Sequence, residues 1–257
     1  RSDLRDSNER TDRTAAHGAA DRSGCGVKRF RPTGQMSDAY LTALLLTLSG
    51  GFQDAYSYCF RGQVFANAQT GNIVLLSVHL LRGSWGNALH YLIPLGAFVA
   101  GTCFAELIRG AFRYARRLHW RQTVLLLEIL TLFFVAFIPV DNIANALISF
   151  VCAMQVQSFR KMRGNTYAST MCVGNLRSGT ELLCAFFRTH EKNLLRDALR
   201  YGGILLTFAA GAGLGSVASL AWGASAIWCS CVFLAAGFGL MFLSGAPGGE
   251  NDGGKGV

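Results

Sequence analysis

Between Asp38 and Ser244 the chain is a succession of eight apolar runs, at about 39–60, 66–81, 89–109, 122–140, 143–159, 171–187, 201–221 and 224–244. Only 15 Lys/Arg and eight Asp/Glu interrupt them. Over the whole chain 15% of residues are charged and 51% hydrophobic, whereas soluble domains carry about 25% charged residues. So little charge excludes an ordinary water-soluble fold and implies an all-α integral membrane protein whose principal partner is the lipid bilayer. The formal net charge of +9 would suggest nucleic acid in a soluble protein. Here the excess sits between apolar runs, where it sets membrane orientation, so no nucleic-acid partner is expected.

A spanning helix needs about 20 residues. The second run has 16 and contains Thr70-Gly71-Asn72; the sixth has 17 and contains Gly174-Asn175-Leu176-Arg177. Both are short and both are broken at Gly-Asn. Basic residues arbitrate between crossing and returning, because Lys and Arg favour the cytoplasmic side. If all eight runs span, nine basic loop residues fall on one side and five on the other. If runs two and six return on the side they entered, the loops Arg109–Arg121, Arg160–Arg163 and Arg188–Arg200 share one side, twelve against two. The second arrangement gives six spanning helices, two re-entrant broken helices and cytoplasmic termini.

The ends lack apolar runs. Residues 1–37 hold eight basic and five acidic residues, a composition that cannot bury a core and is expected to be disordered. Met36 precedes the first run, and a chain starting there would keep every apolar segment. Residues 246–257 read as a flexible tail. Cys25 lies in the first tail, and the other seven cysteines lie in or beside apolar runs. No Cys-x-x-Cys or His–Cys spacing points to a metal, so they are expected to be small buried hydrophobes.

The two halves, 38–140 and 141–245, repeat one another. Val64–Asn72 resembles Thr166–Asn175, and Ala97-Phe-Val-Ala-Gly101 resembles Thr207-Phe-Ala-Ala-Gly211. In this register Asp54 falls opposite Gln155. Three spans per half is an odd number, so the second half is inverted, an arrangement typical of transporters and channels. The segments Gly51-Phe-Gln-Asp-Ala-Tyr-Ser57, Val64–Asn72, Gln155-Val-Gln-Ser-Phe-Arg160 and Thr170–Gly179 resemble the YoaK family of bacterial transmembrane proteins, over about residues 38–245 and in the same order. The resemblance implies a bacterial inner-membrane protein and supplies no activity or site.

Candidate residues follow from polar groups at membrane depth. Asp54 in the first run is ionisable and costly there unless paired or functional. Asn72 and Asn175 each follow a glycine and precede a short apolar helix, 73–81 or 176–187, whose N-terminus carries free N–H groups. Asn67, Thr70, Gly71, Gln155, Thr170 and Gly174 accompany them. Arg177 is either an anion contact or a local partner of Glu181 one turn on. Glu128 reads as a buried hydrogen bond between helices, Glu106 as a partner of Arg109, and His79 and His90 as interfacial polar groups. The expectation is a solute site near the midplane, with Asp54, Gln155 and Arg177 around one cavity. No phosphate loop, hydrolase elbow or metalloprotease motif is present, so neither enzyme chemistry nor a cofactor is expected. The expected activity is a transporter or channel for a small polar or anionic solute; the alternatives are a non-catalytic scaffold and a membrane-embedded enzyme. Single-cysteine labelling tests the topology: positions 115, 162 and 194 should react from the inner side and 141 from the outer. Position 194 reacting opposite to 115 and 162 would require eight spans.

Overall fold

The computed structural model describes residues 36–112, 120–162 and 165–243; both tails and the centre of the first basic loop lie outside the described residues. Within them the chain forms α1 Met36–Phe60, α2 Gln69–Leu81, α3 Trp85–Phe112, α4 Trp120–Val135, α5 Asp141–Ser158, α6 Cys172–Thr189, α7 Lys192–Trp222 and α8 Ile227–Leu243. A 3-10 turn, Gly223–Ala226, joins the last two. Two short strands, β1 Lys161–Met162 and β2 Asn165–Thr166, pair antiparallel before α6. This pairing departs from the expected purely helical fold, and it satisfies backbone that has left α5.

Boundaries differ from expectation in two places. The short helices begin at Gln69 and Cys172 rather than after Asn72 and Asn175, so neither asparagine is an N-cap. The third basic loop is mostly helix: α6 ends at Thr189 and α7 begins at Lys192, with left-handed His190 turning the chain between them.

Two helix pairs dominate the packing, α1 with α7 and α3 with α5. Each pair is parallel. Tyr40, Leu48 and Phe52 of α1 meet Gly203, Gly211 and Gly215 of α7 in ascending order. His90 and Gly101 of α3 meet Asn142 and Phe150 of α5 in the same sense. The approaches are close: a Cβ on Gly211 would overlap the Leu48 carbonyl oxygen, and one on Gly101 would overlap that of Phe150. Small residues that let backbones touch are the usual device for packing helices where lipid removes the hydrophobic drive. Around these pairs, α2 packs on α3, α6 on α7, α8 on α1, α4 on α5, and α4 on α8.

Polar residues are buried among an apolar core, and many large apolar side chains face outward. Thr47, Ser49, Gln53, Asn72, Glu128, Asn145, Ser149 and Gln155 are buried. Leu81, Val173, Leu206 and Leu220 are at least 74% exposed. Two stretches, Trp85–Ala111 and Lys192–Met241, have the length and hydropathy of membrane spans, and most of their residues are not buried. An exterior of this kind fits a hydrocarbon solvent, which leaves polar groups to satisfy one another internally.

Gly211→Val and Gly101→Val should each lower stability by about 1–3 kcal/mol, the usual cost of overpacking. Gly213→Ala, on the same helix as Gly211 with nothing within 4 Å of its Cβ position, should leave it unchanged. Thermal unfolding in detergent measures all three.

Candidate functional site

The extended segment after α1 turns back along that helix. Its peptide groups are satisfied one by one. Ala66 N–H donates to Ser57 Oγ at 3.1 Å, and its carbonyl accepts from Ser149 Oγ. Asn67 N–H donates to Asp54 Oδ1 at 2.9 Å, and Asn67 Nδ2 donates to the Gly50 carbonyl at 3.2 Å. Gly50 is ten residues from the end of α1, about 15 Å along its axis, half of a hydrocarbon core of about 30 Å. From there α2 follows, its 13 residues covering about 20 Å.

Asp54 therefore does structural work. Its carboxylate accepts backbone N–H groups from Asn67 and Ala68, the residues that lead into α2, where helix N–H groups favour a negative charge. The N-terminus of α2 is already occupied by a side chain of its own protein.

The two asparagines perform one identical task. Asn72 Nδ2 donates to the Phe65 carbonyl at 2.6 Å and Asn175 Nδ2 to the Ala168 carbonyl at 2.8 Å, each seven residues back. Both side chains are buried. They fasten each short helix to the extended segment that precedes it.

At the centre lies a cluster from α1, α4, α5 and α8. Gln53 Nε2 stands 3.0 Å from Ser49 Oγ, 3.1 Å from Ser230 Oγ and 3.4 Å from Glu128 Oε1. Gln155 Nε2 donates to the same Glu128 oxygen at 2.9 Å, and Ser169 Oγ donates to Gln155 Oε1 at 2.5 Å. The Ser49 and Ser230 hydroxyls are 2.7 Å apart. Across Glu128, Gln155 faces Gln53 rather than Asp54.

Of the expected site residues, Asp54, Asn67 and Asn72 gather on the first extended segment. Gln155 joins the central cluster, and Thr170 lies against Gly50 and accepts from Cys152 Sγ at 3.7 Å. The two extended segments thus meet at Gly50. Thr70 and Gly174 are exposed and Gly71 is half-buried. Arg177 does not reach this region: 80% exposed, it pairs at 2.8 Å with Glu181 along α6, which favours the local-partner reading. An open depression of about 500 Å³ lies along that face of α6, lined by Val173, Arg177, Glu181 and Arg188 among others, away from the buried cluster. The expected cavity shared by Asp54, Gln155 and Arg177 is replaced by side-chain contacts.

Sequence reading placed Glu128 correctly as an interhelical hydrogen bond and missed its donors. Ser49 and Gln53 are one helical turn apart and so share a face, a signal hidden by the adjacent Asp54. Arg61 was also missed. It is 2% exposed, donating to the Val135 and Ile138 carbonyls, Tyr56 Oη and Asp141. It closes the end of α4, whose last carbonyls lack helical partners. Glu106 pairs with Arg109 at 3.7 Å as expected. His90 joins Asn142 to the Gly62 carbonyl. Of the cysteines, Cys152 is buried, whereas Cys59, Cys103 and Cys184 are on the exterior, against expectation.

The profile of a family described as "Protein of unknown function (DUF1275)" matches residues 42–240. The chain is 30% identical over 220 residues to "UPF0700 transmembrane protein YoaK" of Bacillus subtilis (strain 168), covering 80% of this chain and 95% of that protein. No solved structure matches.

Asp54→Ala should lower stability by about 2–4 kcal/mol, because two buried N–H groups lose a charged acceptor. Arg177→Ala, in an exposed pair, should leave it unchanged. Unfolding in detergent measures both.

Proposed function

The chain belongs to the DUF1275 family and is a transmembrane protein like its Bacillus relative; from that premise we propose that it is a six-span inner-membrane carrier or channel for a small polar solute. The observation that carries this reading is the central seam. Two extended segments meet at Gly50 beside a cluster of amides, hydroxyls and a carboxyl, inside a fold whose exterior is apolar. Broken helices meeting at mid-depth are the usual setting of solute sites in transporters. Packed polar groups would be exposed to a solute when one half rocks against the other.

An inverted repeat supports the same reading. Gln53 and Gln155, Glu128 and Ser230, and Leu48 and Phe150 are each 102 residues apart. Each pair occupies matching contacts: the glutamines donate to one oxygen, and the carbonyls of Leu48 and Phe150 receive the glycines of α7 and α3. The packing of α1 on α7 and α2 on α3 recurs as α5 on α3 and α6 on α7. Orientation follows from charge: Arg109, Arg121, Arg188 and Arg200 belong to the loops proposed as cytoplasmic, along with both termini.

The close packing at the seam favours a second reading, a non-catalytic scaffold, since a scaffold needs no passage. Uptake separates the two. Proteoliposomes should accumulate some members of a panel of small polar solutes above empty liposomes. Gln155→Met should reduce that uptake about tenfold, the worth of one hydrogen bond near 1.4 kcal/mol, with insertion unchanged. Uptake equal to that of empty liposomes across the panel would leave the scaffold.

A further inference from the structure

Two carboxyl groups are buried in the bundle, and their surroundings differ. Asp54 faces the N–H groups that lead into α2. Glu128 is fully buried and faces no cation: among the described residues no Lys, Arg or His pairs with it. Arg61, the buried cation, is engaged by Asp141 and by carbonyl oxygens. The titratable groups that face Glu128 from the helices around it are Cys231 of α8 and Cys152 of α5, with Asp54 of α1 beyond. All are neutral or acidic. On α3, Glu106 and Arg109 lie at the far end, where Arg109 stacks on Trp120.

The hydrogen bonds leave a specific gap. Glu128 Oε1 receives two amide N–H groups, whereas Glu128 Oε2 and Gln53 Oε1 are buried with no donor. An isolated carboxylate charge in so dry a place is strongly disfavoured. Both bare oxygens could receive a proton or a metal cation, and the sodium arm of the experiment below separates the two. What the cluster lacks is a single donor.

We propose that Glu128 is a proton-binding site, carrying its proton on Oε2 in the closed arrangement and releasing it only when water reaches that oxygen. The transfer balances without a co-reactant: the O–H bond breaks, the electron pair stays on Oε2, and the proton passes to water. Glu128 touches helices of both halves through Gln53 and Gln155, so its charge state bears on whether they stay closed. That the bound proton is also the coupling ion rests on the carrier reading; that it is bound does not.

Infrared difference spectroscopy on the full chain in liposomes tests the site directly. At neutral pH the wild type should show the carbonyl stretch of a protonated carboxylic acid. Glu128→Gln should abolish that band, and Asp54→Asn should keep it. Glu128→Gln retains the size and neutrality of the acid, so its unfolding temperature should match the wild type, which guards against a folding artefact. No protonated-acid band in the wild type, or no loss of band intensity on Glu128→Gln, would overturn the proposal. So would a sodium-dependent rise in thermal stability that Glu128→Gln removes. A band lost in Glu128→Gln, in a protein that moves neither solute nor protons, supports the site and removes the carrier reading.

Discussion

Peptide groups that leave a helix inside a hydrocarbon solvent must find every partner within the protein, and this requirement organises the bundle. The segments before α2 and α6 are extended where lipid cannot hydrogen-bond them. Side chains therefore take the place of helical partners: Ser57, Ser149 and Asp54 for the first, with Asn72 and Asn175 reaching back to one carbonyl each. These interactions in turn need close helices. Glycines of α7 and α3 bring α1 and α5 within backbone contact, so the polar seam is narrow enough to be spanned by short side chains. Removing a glycine or an asparagine strains the same network from opposite ends.

That network also assigns different roles to its two carboxyl groups. A carboxyl that accepts the N–H groups leading into a helix, as at Asp54, functions as a structural clamp. A carboxyl that receives only amide donors on one oxygen, as at Glu128, has no such compensation.

Much of this architecture was legible in sequence because its causes are local and periodic. Apolar runs marked the long helices, and the repeated Gly-Asn marked the two short helices. What escaped was set by tertiary contact. Helix α2 starts before Asn72, because Asp54 supplies the acceptor that an N-cap would have offered. Arg61 was counted as a loop charge, since nothing in Phe60-Arg61-Gly62 announces carbonyls from α4 waiting for it. Arg177 attracted a functional reading because it follows Gly-Asn, yet the helix turns it outward towards Glu181. Gln53 was overshadowed by its ionisable neighbour, and only the convergence of α1, α4, α5 and α8 brings it to Glu128.

The asymmetry between the halves gives the cluster its direction. At matching positions 102 residues apart, α4 carries Glu128 and α8 carries Ser230, while Gln53 and Gln155 are the same on both sides. Two carboxyls facing across the α4–α8 contact would repel one another when ionised or compete for one proton. A single carboxyl opposite a hydroxyl avoids both, and it leaves one exchangeable charge that both halves contact through equivalent glutamines. Protonation of Glu128 thereby changes the cluster by one charge, and a difference of one buried charge is large against the few kcal/mol that separate alternative packings of a bundle.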